Sequence, residues 1–238
     1  MAPPSPAGGF PPEAMLYFNQ MVEVKRRFVA ISRILGAKKG KPRTLSEDTD
    51  NEFMWLQIRK IIELVTYSAI ASDLERYSAL RALSNGKVED DQKATKILNR
   101  LSGINPRFMP APLGNMAQQP DGSKHFEGLE EAKQATLHRF TGIFNEASKH
   151  LHTPNPYGAD AQALEQTQRV GSRAHVIEAL EYLKTALWSH FKMGLEFKSG
   201  DDPKALDEFK GCYIVNFNKP EETGMVSMML AERKDAFP

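Results

Sequence analysis

Thiol chemistry is nearly absent from this chain of 238 residues, in which Cys212 is the only cysteine. An intramolecular disulfide is therefore impossible, and a cysteine-rich zinc site is excluded. Cys212 falls in a strand-like stretch, where a cysteine ordinarily acts as a small hydrophobe rather than a nucleophile. Long apolar runs are missing too; none reaches the roughly 18 residues that would span a bilayer. The opening MAPPSPAGGFPPEA has neither the charged nor the apolar region of a secretory signal, so a cytoplasmic protein with no membrane partner is expected. An excess of one charge is also lacking. The formal net charge of +1 predicts neither a broad nucleic-acid surface nor a polyanionic substrate.

Familiar catalytic signatures are missing as well. There is no GxSxG elbow, P-loop or GxGxxG, and no HExxH or EF-hand spacing. No nucleotide cofactor is expected. Nor is a metal site, because rings at His150 and His152 would splay by about 200° on a helix.

What is present centres on Glu52–Ser72, EFMWLQIRKIIELVTYSAIAS, whose apolar residues cover most of a helix's circumference. Such a helix is normally buried on several sides, which places it at the middle of the domain. Glu52, Arg59 and Glu63 fall on one narrow strip of it. If that strip is buried its charges need partners, and it reads either as an ion network fixing helix register or as one wall of a ligand pocket. Thr49-Asp50-Asn51-Glu52 has capping-box spacing for the helix start.

Around this centre the period is helical over 14–35, a segment stopped at Gly36, over a shorter run at 90–101, and over 127–151 and 160–188. The central helix has a continuation through Leu74, Tyr77 and Leu80 to Leu83, before Asn85-Gly86. The proline-rich 103–112 reads as an extended strap carrying Ile104, Phe108 and Met109 onto the bundle, and 114–124 as an exposed loop. Alternation then predicts strands near 193–197, 213–217 and 225–230. The fold class expected is mainly α: a bundle of about five helices with a small C-terminal antiparallel hairpin or three-strand sheet. Residues 1–13, with five prolines and two glycines, read as a flexible tail. Residues 14–189 make the bundle, and 190–238 a small β appendage packed on it.

Two groups of residues carry candidate chemistry. Arg139, Glu146 and His150 are spaced by seven and four, so they share one face of the second long helix. Glu146 can pair with His150 and tune it for acid–base work. His152, Asn155 and Tyr157 follow in a rigid proline exit. The alternative is that His150 and His152 only complement a helix C-terminus. The strip Glu52, Arg59, Glu63 would face this cluster across the bundle. Separately, Lys38, Lys39, Lys41 and Arg43 form a basic loop that is either simply solvated or a grip on nucleic-acid phosphates.

The stretches EFMWLQIRKIIEL, INPRFMPAP and HLHTPNPYG, in that order over roughly residues 52–158, resemble those of a group of bacterial proteins with no assigned activity. The resemblance implies that central helix, proline strap and histidine exit belong to one unit. At the level of helical class the chain is also similar to the HEPN family, whose ribonuclease members carry an arginine and a histidine four to six residues apart. Arg169 and His175 meet that spacing, which a chain of this composition also meets by chance. FNEASKHLH has Asn145 and His150 but lacks the arginine. That resemblance implies a metal-independent ribonuclease in which a histidine transfers protons and an arginine steadies phosphate, completed across a dimer. The leading expectation is instead a non-catalytic interaction or regulatory module, a homodimer or a binder of another protein or ligand, with RNA as the alternative partner.

Overall fold

The computed structural model describes residues 12–37, 41–72, 74–105, 107–120, 122, 124–129, 133–152, 157, 172–195, 209–219 and 225–231. Six α-helices are described there: α1 (Pro12–Leu35), α2 (Glu47–Ser72), α3 (Leu74–Leu83), α4 (Ala94–Ile104), α5 (Leu137–Leu151) and α6 (Ser172–Leu187). Five strands join them: β1 (Ala111–Gln118), β2 (Lys124–Gly128), β3 (Ser189–Leu195), β4 (Phe209–Asn216) and β5 (Ser227–Ala231). The chain is mainly helical with a small antiparallel sheet, as its periodicity predicts.

Helix α2 is the hub. Met54, Trp55, Ile58, Ile61, Ile62 and Val65 are all buried, and α1, α4, α5 and α6 pack around them. Its start lies five residues earlier than the first residue of the stretch EFMWLQIRKIIEL. The Ser46 amide donates to Thr49 Oγ1 at 2.9 Å while the Thr49 amide donates to Ser46 Oγ at 3.2 Å. That reciprocal box caps the helix one turn ahead of the Thr49–Glu52 spacing. Asp50, so released, turns back to accept from the Arg43 amide (3.0 Å), the Thr44 amide (2.8 Å) and the Thr44 hydroxyl (2.8 Å). Burial pushes this carboxyl up, but the hydrogen bonds from Arg43 and Thr44 outweigh it and leave Asp50 below the usual carboxylate range.

The sheet runs in the order β2-β1-β3-β4-β5, every neighbouring pair antiparallel. It departs from the expected C-terminal appendage in one respect, since two of its strands come from mid-chain. Within the stretch 114–124, residues up to Gln118 belong to β1 and Lys124 begins β2, so only Gln119, Pro120 and Gly122 of its described residues are exposed loop. Likewise α5 starts at Leu137, not at 127, because 124–128 is spent in the β1–β2 ladder. Thr136 caps the helix by accepting from the Arg139 amide at 3.2 Å. The proline strap is short: Ile104 ends α4, Phe108 is buried as predicted, and β1 begins at Ala111. The β1–β3 ladder holds only Ala111↔Phe191 and Pro112↔His190. Pro112 has no amide hydrogen to extend it.

Helix α1 is the joint between the helices and the sheet. One side packs on α2, while Phe28 meets Trp188 and Phe217 at ring distances of 6.3 and 6.1 Å. Lys25, fully buried, donates through Nζ to the Met225 carbonyl at 2.7 Å, just before β5. On β3 the buried Lys192 donates to the Phe108 carbonyl at 2.7 Å, fastening the strap. His190 Nδ1 stands 2.8 Å from the Leu187 carbonyl, so Nδ1 carries the proton and Nε2 accepts from the Tyr17 hydroxyl at 2.7 Å. At the far end of α2, Asp91 accepts from the Tyr77 hydroxyl (2.7 Å), pairs with Arg81 (2.8 Å) and bonds Arg100, tying α3 to α4. Asn85 takes the left-handed conformation (φ 51°) that turns the chain out of α3.

Candidate functional site

Helix α5 lies across α2 with its apolar stripe of Phe140, Ile143, Phe144 and Ala147 buried. The two helices are antiparallel at this contact: Trp55 of α2 meets His150, and Arg59, one turn later, lies over Phe144, 5.1 Å from the ring centre. His150 and Trp55 stack face to face, with centroids 4.7 Å apart and planes 6° from parallel. The His150 side chain is only 5% exposed.

Around this imidazole the charged edge of α5 turns towards α6. Glu146, one turn earlier, brings Oε1 to 3.3 Å from His150 Nε2. From the first turn of α6, His175 places Nδ1 3.9 Å from the same carboxylate oxygen. One ligand atom from each of the three residues lies within 4.8 Å of the other two. The 3.3 Å approach is an ion-pair distance without hydrogen-bond alignment, and His150 Nε2 has no hydrogen-bond partner among the described residues. Burial holds His150 below its ordinary pKa, against the pull of Glu146 and helped by the neighbouring His175 and Lys149 charges. Lys149 stands on the other carboxylate oxygen of Glu146, at 3.4 Å. One turn before Trp55, on the same face of α2, Asn51 is buried, and its Oδ1 likewise lacks a hydrogen-bond partner among the described residues.

The residues expected from the sequence divide between this cluster and other places. Glu146 and His150 are in it. Arg139 shares their face but lies eleven residues, roughly 16 Å of helix, before His150. It pairs with Glu178 at 3.5 Å and covers the Tyr182 ring at 4.8 Å. His152 is the exposed C-cap of α5, and Tyr157 is 94% exposed. Asn155 lies outside the described residues, as do Lys38 and Lys39 of the basic loop. Lys41 and Arg43 are exposed, Arg43 giving its backbone amide to Asp50.

The strip on α2 is not the buried ion network that its apolar surroundings predict. Glu52 is exposed. Arg59 and Glu63 bond each other at 3.1 Å with side chains 33% and 15% exposed, and Lys60 joins Glu63 at 2.7 Å. These charges sit at the rim of the α2–α5 contact, where water screens them and local pairs suffice. Three residues of the site were missed by sequence reasoning. Trp55 looks like core, Asn51 looks like part of a cap, and His175 showed only in a chance-level spacing. The usable signal was an Asn51-Trp55 pair at i, i+4 on an apolar helix, since a buried amide there needs a partner.

No family model, curated protein or solved structure matches this chain. Among the described residues, no helix is long and apolar enough to cross a membrane.

Proposed function

We propose that this chain is an interaction or regulatory module that binds a ligand at the edge where α2, α5 and α6 meet. The observation that carries this is the imidazole of His150, clamped by Trp55 with its Nε2 turned, unbonded, towards Glu146 and the exposed His175. A buried polar atom without a partner costs about 1–3 kcal/mol, which a bound ligand would recover. A neutral ring beside a carboxylate favours a cationic or hydrogen-bond-donating ligand over an anion. On this reading the wider partner is a second copy of the chain or another protein, and β5, an edge strand among the described residues, is a candidate pairing surface.

An NMR screen of the full chain against primary amines, guanidines, nucleosides and divalent cations tests the reading. At least one class should saturably shift the Trp55 indole and His150 ring signals, and the response should disappear in His175→Ala. Silence from every class would end it. Light scattering on the eluting protein gives the second copy its test, with a mass of two chains expected.

A ribonuclease is the second reading. One observation favours it: His175, the histidine of the Arg169–His175 spacing, belongs to the cluster. Against it, Arg139 is engaged with Glu178 and Tyr182, and Glu146 places negative charge where a phosphate would sit. Labelled RNA incubated with the wild type and with His150→Ala, His152→Ala and His175→Ala variants separates the two. Cleavage abolished by the His150 and His175 changes would replace the binding module with a hydrolase.

A further inference from the structure

We propose that Glu146, His150 and His175 form a binding site for a divalent transition-metal ion of the zinc class. The inference rests on the binding-site reading above and names its ligand.

The donor set is one carboxylate and two imidazoles, a combination that suits zinc, nickel or copper and not the oxygen-seeking magnesium or calcium. In a tetrahedral zinc site with bonds of about 2.0–2.1 Å, neighbouring ligand atoms stand roughly 3.3–3.4 Å apart. Glu146 Oε1 and His150 Nε2 already stand 3.3 Å apart, so that edge of the tetrahedron exists. The Glu146–His175 edge is 3.9 Å, and no edge exceeds 4.8 Å. Closing the longer edges falls to His175, an exposed side chain in the first turn of α6.

A second observation is independent of this clustering. His150 is 95% buried by its 5% side-chain exposure, it is held in one orientation by Trp55, and its Nε2 aims into the cluster with no hydrogen-bond partner among the described residues. A metal bond satisfies that atom. Lys149 bonds Glu146 through Oε2 and leaves Oε1 for the ion. Three protein ligands leave a fourth position for water or for a group from a partner, the open form of zinc site.

The test is calorimetric titration of the EDTA-treated, buffer-exchanged full chain with zinc chloride, repeated with nickel chloride. One ion should bind per chain. His175→Ala, at an exposed position that leaves the core intact, should weaken binding at least tenfold, and Glu146→Gln should do the same. His152→Ala and His138→Ala should bind as the wild type does. Absence of binding, or binding that ignores both the His175 and Glu146 changes, overturns the assignment. Were zinc to fail while an amine or nucleoside still shifted Trp55 and His150, the metal would be wrong and the binding site would stand. Failure of all probes would remove both.

Discussion

At the scale of single residues, His190 shows how firmly the fold selects a protonation state. Its Nε2 accepts from Tyr17 while Nδ1 donates to Leu187, so a second proton on the ring would oppose the Tyr17 hydroxyl inside the core. Burial, with Lys192 nearby, lowers its pKa from 6.5 to about 4. A depressed histidine leaves the unfolded chain holding more protons between those values. Stability from this residue is therefore complete above about pH 6.5 and is lost as pH falls towards 4, amounting to about 3 kcal/mol. Urea unfolding at pH 7, 5.5 and 4.5 should show that decline. Tyr17→Phe removes the donor to Nε2 and should cost about 1–3 kcal/mol at pH 7. Arg59 is a contrasting case. One-third exposed and paired locally, it should lose about 1 kcal/mol or less on Arg59→Ala, read as a small drop in melting temperature. A loss of several kcal/mol would mean the pair is buried after all.

Helices and strands were unequally legible in the sequence. Helix α2 was visible because its apolar residues cover most of the circumference, and the α5 stripe at Phe140, Ile143, Phe144 and Ala147 because 3.6-residue spacing survives any context. The β1–β2 hairpin was not. The stretch from Gly114 and Asn115 to Gln119 and Pro120 has turn composition, and the part of it up to Gln118 becomes strand through pairing with β2, which turn composition does not announce. The site was half legible: Glu146 and His150 share a helical face by arithmetic, whereas His175 and Trp55 arrive from other helices, which no local spacing records. Two predictions belong to this scale. Asp50→Ala leaves the Arg43 and Thr44 donors without their acceptor and should destabilise the chain by about 1.5–3 kcal/mol. Thr136→Ala should cost about 1 kcal/mol through the lost cap of α5, with exchange of its first-turn amides speeding up in hydrogen-exchange measurements.

Over the whole molecule, one helix holds the two layers together while another presents the site. Helix α1 is shared between α2 and the sheet through Phe28, Tyr17 and Lys25, so the strands are part of the core and not a detachable piece. On the other side of α2, residues far apart in the chain (Trp55, Glu146, His150 and His175) meet at one edge. That convergence is what the functional reading requires. The most direct test is the pH titration of the His150 ring by nitrogen-15 NMR in the wild type and in Glu146→Gln. The midpoint should lie below 6.5 in the wild type and fall further once the Glu146 charge is gone. A ring that titrates at or above the ordinary histidine value, or that ignores the loss of Glu146, would place His150 in water and contradict the account.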